Sequence, residues 1–389
     1  MRKSIDRMEL VHDFLKRTFS GSLHAKRILS LANGTLGVVT GASLAVSIIG
    51  HALAQARGLM DRHAIKQVDR LLSNAGVVVW DLFAPWAREV VGQRKAIVVA
   101  MDWTDFDADN QATLALNLLT RHGRATPLLW LTVDKDELKD QRNDVEDLCL
   151  TRLKAILPEG VAVTILADRS PDQSPGIGDV KLFEFLESLD FGYVIRFRGN
   201  VHVTAADGQT RLAADWVGKA GRARLLRGAE LTAARHKVGA AVCVHAKGMK
   251  EAWHLAASDA TARASQIVNL YAKRWTIEPG FRDTKDLRFG MGLSVLRIGD
   301  PQRRDRLLLL NALAILLLTL LGAAGESLGM DRSLRTSTVK RRVHSLFRQG
   351  CLLYDLIPNM PEQRLTPLVE KYEEFLNQNN AFTQTFGPA

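Results

Sequence analysis

The chain has 389 residues, 47% hydrophobic and 24% charged, a balance that excludes a disordered or fibrous protein and leaves room for two or three domains. A formal net charge of +10 creates a positive field that favours phosphate backbones, so nucleic acid heads the expected partners. Cys149, Cys243 and Cys351 lack metal-ligand spacing, which argues against a zinc site or a disulfide framework and for a reducing cytoplasm.

The first 17 residues carry too many charges for the apolar stretch of a secretory signal. Residues up to about 90 read as helices: 5–19 is amphipathic, and 36–58 mixes small with apolar residues in a pattern suited to close helix packing. Composition changes at 96–101, a β-branched run that predicts a buried strand ending in Asp102. Residues 113–119 and 127–133 predict two further strands, continued by hairpins. Helical periodicity over 136–157 closes at Pro158-Glu159-Gly160 and leads into a second apolar strand, 162–167, ending in Asp168. A helix over 180–189 and a strand over 193–197 follow.

From about 199 to 250 the chain turns polar, glycine-rich and basic, predicting a small β insertion. Residues 253–257 read as a last strand, 260–275 as helix, and the region beyond Met330 as basic and helical. Residues 307–324 are almost continuously apolar, a length that approaches a membrane span. Asn311 and Thr319 interrupt the run and no second span accompanies it, so a buried core helix is predicted and a membrane is not among the expected partners. Basic groups at 16–17, 26–27, 222–227, 303–306 and 340–342 predict a long phosphate-contact track, unless each is simply a solvated face.

Two strands that end in Asp102 and Asp168 bring carboxylates to one edge of an α/β sheet, where active sites form. Paired carboxylates repel one another unless a cation or proton intervenes, so a divalent metal is one reading; an aspartate capping a turn is the other. On a helix, Tyr271, Arg274, Glu278 and Lys285 lie at about 0°, 300°, 340° and 320°, one face within roughly 60°. Charges on such a core-facing stripe must be paired or coordinated, either to a metal or DNA or in an internal Arg274 to Glu278 salt bridge.

The pattern Tyr271-x2-Arg274-x3-Glu278-x6-Lys285, with Trp275-Thr276-Ile277 and Phe281-Arg282-Asp283-Thr284 around it, resembles the Y-R-E-K signature of the DDE transposases of bacterial insertion sequences and composite transposons. The likeness extends over roughly 95–325 through Val99-Ala100-Met101-Asp102-Trp103, Leu166-Ala167-Asp168-Arg169, Tyr193-Val194-Ile195-Arg196-Phe197 and Trp253-His254-Leu255-Ala256. The sequence departs from the family at Pro279-Gly280, which requires Glu278 to start a helix, and at 169–176, which is longer and richer in proline.

The resemblance implies an α/β fold: an RNase H-like catalytic domain over 91–330 with the β insertion at about 199–250, an N-terminal helical domain over 1–90 for transposon ends, and a helical region over 331–389 that serves dimerisation. Asp102, Asp168 and Glu278 match the catalytic, metal-holding acids, with two Mg2+ per site and Mn2+ as substitute. Tyr271, Arg274 and Lys285 match residues that orient DNA phosphates, and Trp253 and Trp275 stand where the family stacks or displaces bases at a hairpinned end. The implied partners are double-stranded DNA, as terminal inverted repeats and target, and a second copy of the chain in the DNA complex. The implied place of action is the bacterial cytoplasm, at the nucleoid. A structure-selective nuclease of the same fold and a non-enzymatic DNA-binding descendant are the rival readings; intact acidic positions disfavour the second.

Overall fold

The computed structural model describes residues 7–120, 122–168, 177–288 and 290–377. Five helices come first: α1 (Arg7–Phe19), α2 (Ala25–Gly41), α3 (Val46–Arg57), α4 (Asp61–Leu72) and α5 (Val79–Val91). The small-residue stretch over 36–58 forms a corner, where Ala42 takes φ 44° and α2 and α3 meet at a bend of 97°. A Cβ on Gly37 would lie 2.6 Å from the Ile49 carbonyl oxygen. Only a residue without a side chain lets the two backbones meet so closely.

The predicted strands follow in order. β1 (Ala96–Phe106), β2 (Gln111–Leu119) and β3 (Ala125–Asp134) pair antiparallel. Helix α6 (Arg142–Ile156) leads to β4 (Ala162–Asp168), parallel to β1, and α7 (Ile177–Ser188) leads to β5 (Gly192–Phe197), parallel to β4. Continuous apolar runs suit these strands because helices cover both sheet faces, and β2 is buried at every position. The run 169–176 lies outside the described residues.

The next stretch contains β6 (His202–Thr204), β7 (Thr210–Leu212), β8 (Arg224–Arg227), β9 (Glu230–Leu231), β10 (His236–Lys237), β11 (Ala240–Val244) and β12 (Trp253–Ala257). They divide between two sheets. The large sheet runs β3-β2-β1-β4-β5-β12-β11-β8, while β10-β9-β6-β7 form a small one. Residues 199–250 therefore contribute β8 and β11 to the main sheet as well as a separate β layer.

Helix α8 (Ala264–Ala272), a 3-10 turn (Lys273–Thr276) and α9 (Ile277–Lys285) cross one sheet face, and α10 (Pro301–Ser327), α11 (Leu346–Leu356) and α12 (Glu362–Asn377) complete the chain. Asp300 caps α10 by accepting from the Gln302 amide, and Pro301 fills the first turn, where its missing N–H costs nothing. The long apolar window of α10 is 89% buried inside the protein, as a core helix requires. α2, α11, α12 and β3 pack around it. The approach of α11 is closest at two glycines: a Cβ on Gly350 would strike the Leu318 carbonyl, and one on Gly322 the Leu346 carbonyl.

Two residues assigned to the basic track belong instead to this core. Arg304 is fully buried, its Nε donating to Gln111 Oε1 at 2.6 Å, and Arg306 donates to the carbonyls of Val77 and Leu72 at 3.0 Å each. Arg306 thus satisfies carbonyls at the end of α4 and before α5, Arg304 pairs with Gln111 and Asp109, and both are closed to DNA. The hydrophobic cluster around α10 extends from Val11 to Leu376, so the N-terminal helices, one sheet face and the C-terminal helices share one core. A second, smaller cluster, including Ala100, Leu166, Val194, Tyr271 and Ile277, fills the opposite face of the sheet.

Candidate active site

Strand alternation puts Ala100, Asp102 and Thr104 on the face of β1 that carries the smaller cluster, and Leu166 and Asp168 on the same face of β4. The parallel register that pairs Ala96 with Ala162 and Ala100 with Leu166 sets Asp102 level with Asp168. One strand further, Arg196 of β5 pairs directly with Asp168. The sheet alone thus places two carboxylates and a guanidinium side by side.

The helix above supplies the other half. Tyr271, near the end of α8, is buried and hydrogen-bonds Asp168 through its hydroxyl; burial, then the Asp168 charge, push its pKa up. Arg274, in the 3-10 turn, reaches both aspartates: Nη2 lies 3.1 Å from Asp102 Oδ2 and Nη1 3.7 Å from Asp168 Oδ2. Arg196 Nη1 lies 3.5 Å from Asp168 Oδ2, and its Nη2 donates to Glu251. Burial raises the Asp102 pKa, Arg274 pulls it back, and the neighbouring Asp168 charge raises it again, leaving it above the usual carboxylate value.

Lys285, at the end of α9, donates to Thr104 Oγ1, two residues along β1 from Asp102, and its ammonium sits 4.7 Å from the Phe106 ring centre. Burial lowers its pKa. Helix α9 is pinned from two sides, by the Arg124 to Asp283 ion pair at 2.7 Å and by Asn311 Nδ2 donating to Thr284 Oγ1 at 3.0 Å. On the far face, the Trp103 indole donates to Glu146 Oε1 at 2.9 Å while the Trp103 amide donates to Asp102 Oδ1 at 3.1 Å, tying β1 to α6 beside the site.

The structure brings together Asp102, Asp168, Tyr271 and Arg274, with Lys285 close by. Glu278 stands apart. It is exposed in the first turn of α9, where Pro279 needs no hydrogen-bond partner, as the Pro279-Gly280 pair predicts. The alternative salt bridge from Arg274 to Glu278 is overturned, since Arg274 turns inward to the aspartates. Trp253 is half-buried with its ring against Tyr271, whereas Trp275 is 47% exposed and not in the core stripe a continuous helix would give it. Arg196 is the residue that sequence reasoning passed over; its signal was alternation with Val194 on the face that holds Asp168.

Among the described residues no three acidic, histidine or cysteine side chains stand close enough to hold a metal ion. As folded, then, the donor set does not fit a bound divalent cation. Two of the three acids are in place, Glu278 is outside, and a guanidinium lies between the pair.

Residues 139–317 match the family model of the transposase DDE domain. No curated protein matches the chain. The matched segment contains Asp168, Arg274, Glu278 and most of α10 and begins after β3, so Asp102 enters the site by geometry alone. The domain marks an enzyme that transfers phosphoryl groups on DNA with divalent metal. Residues 139–317 are thus similar to a transposase DDE domain, and the activity is that domain's.

Proposed function

We propose that the chain is the transposase of a bacterial insertion sequence, of the Y-R-E-K class, cutting and rejoining transposon ends in the cytoplasm. The observation that carries this reading is the level pair Asp102 and Asp168 beneath Tyr271 and Arg274. Three elements of the signature thereby converge on the same face of the sheet, since Lys285 reaches Thr104 on the same strand. The order β3-β2-β1-β4-β5, three antiparallel strands followed by two parallel ones, supports an RNase H-like core extended by β12, β11 and β8.

Asp102, Asp168 and Glu278 are assigned as the catalytic acids, with Mg2+ as the native ion and Mn2+ as its substitute. Arg274 and Lys285 present guanidinium and ammonium donors suited to a scissile phosphate, and the Tyr271 hydroxyl fixes the orientation of Asp168. Trp253 and Trp275 offer aromatic faces to bases displaced at a hairpinned end. The helices before residue 90 are assigned to the inverted repeats, and the helices after 330 to the contact between two copies on paired ends.

The test uses the purified chain, linear DNA ending in the element's inverted repeats, and Mg2+. Nicking at the repeat, a hairpin on the released end and joining to a target plasmid are expected. Asp102→Asn, Asp168→Asn and Glu278→Gln should each abolish cleavage while end binding persists. Cleavage without joining would make the protein a nuclease of the same fold, and normal cleavage by any one variant would remove that residue from the site.

A further inference from the structure

The cation position between the two aspartates is already filled by the protein itself. The Arg274 guanidinium is buried and bridges Asp102 and Asp168, while its Nε has no hydrogen-bond partner. The fork serves the carboxylates even though one donor is stranded, which makes its hold worth less than full pairing would be. Arg196 adds a second guanidinium 3.5 Å from Asp168, and the Lys285 ammonium stands over Thr104 nearby. Two carboxylates therefore face three cationic side chains. A divalent ion entering there meets repulsion from all three, and Glu278, exposed on α9, is not turned inward to offset it.

Resting on the assignment of Asp102 and Asp168 as metal-holding acids, we propose that Arg274 is the counter-ion a divalent cation must replace. In the free protein the guanidinium and the metal are mutually exclusive occupants of the aspartate pair. A DNA phosphate opens the site by taking Arg274 over, because the guanidinium fork matches phosphate oxygens as well as it matches carboxylates. DNA and metal then bind with positive coupling, each raising affinity for the other by the same factor. The arrangement keeps the free enzyme poor in metal and reserves a complete site for the DNA-bound state.

The probe is Mn2+ titrated into the full chain without DNA, with free ion counted by electron paramagnetic resonance. Wild type should bind weakly and Arg274→Gln at least about tenfold tighter, within the ordinary range of coupling between two ligands. Adding Asp102→Asn to Arg274→Gln should erase the gain. Equal affinity of wild type and Arg274→Gln, lost in both on Asp102→Asn, would overturn the counter-ion role and leave the site assignment standing. Affinity indifferent to Asp102→Asn and Asp168→Asn would overturn both. Should Arg274→Gln fail to fold by circular dichroism, Arg274→Met removes the same charge at similar length, and a folded Arg274→Met with no gain in Mn2+ affinity would equally overturn the proposal.

Discussion

The Trp253 indole meets the Tyr271 ring edge-on, with centroids 5.1 Å apart and planes at 74°. Tyr271 in turn holds Asp168, so Trp253 stands one contact from the carboxylate pair. Its open side suits a displaced base, and stacking of that kind contributes about 1 to 3 kcal/mol per base. Trp253→Ala should therefore slow hairpin formation more than the first nick, in an assay that resolves both products on a gel. Equal slowing of the two steps would assign Trp253 to the support of Tyr271 alone.

Arg196 bridges Asp168 and Glu251 with a side chain only 18% exposed. Replacing it by Met removes a charged donor from Asp168 and should lower stability by about 1 to 3 kcal/mol, the usual worth of hydrogen bonds to charged groups. Urea unfolding measures this. Arg196→Lys should recover part of both stability and cleavage; a Met variant as stable and active as wild type would make the contact incidental.

Asp305, buried in α10, accepts the Thr132 amide at 3.1 Å, and burial pushes its pKa up to about 8 despite Thr132, Arg304 and Arg306. In the unfolded chain an aspartate titrates near about 3.9. Because the folded pKa is the higher, its contribution to stability is complete below pH about 4 and is lost as pH rises to about 8. Asp305→Asn keeps an oxygen for Thr132 and should melt progressively higher than wild type as pH is raised across that window. A constant difference in melting temperature from pH 4 to 9 would contradict the raised value.

Gly350 touches the backbone of α10 at Leu318, so an added methyl has no space. Gly350→Ala should cost about 1 to 3 kcal/mol as overpacking between two helices. Gly299, which faces open space, is the control: Gly299→Ala should leave thermal unfolding nearly unchanged.

With Arg304 and Arg306 buried, the phosphate-contact track expected from the sequence narrows, and Lys340 and Arg341 remain exposed within it. Each phosphate contact contributes about 0.9 to the slope of log affinity against log salt. Lys340→Ala with Arg341→Ala should flatten the slope by one to two on that scale, whereas an unchanged slope would take this segment off the DNA.

The strands that carry Asp102 and Asp168 were legible from their β-branched runs, but only β4 ends at its acid; β1 continues past Asp102 to Phe106 because it stays paired with β2. The partner of Arg274 was not legible. Local spacing offered Glu278 at i+4, while the true partners are distant in the chain and depend on the register of β1 and β4, which no single strand encodes. Trp275 was misplaced for a related reason. The turn at Lys273–Thr276 winds as a 3-10 helix, so residues there advance about 120° rather than about 100° each, and the helical stripe loses phase. Arg304 and Arg306 looked like surface charge because the groups that receive them, Gln111 and Asp109 for Arg304 and the carbonyls of Leu72 and Val77 for Arg306, belong to other parts of the chain.

Helix α10 also decides how divisible this enzyme is. A fragment restricted to 139–317 would lack β1 to β3 and the helices before them, and would end inside α10 with most of its leucine-rich surface uncovered. Deleting α11 would strip the same helix from the other side. Such pieces should aggregate whatever their capacity to recognise DNA, since a contiguous apolar patch of that kind seeks another surface to cover it. The DNA-end recognition proposed for the first 90 residues is therefore to be tested by substitutions on their solvent faces in the intact chain, where insolubility cannot be mistaken for lost recognition.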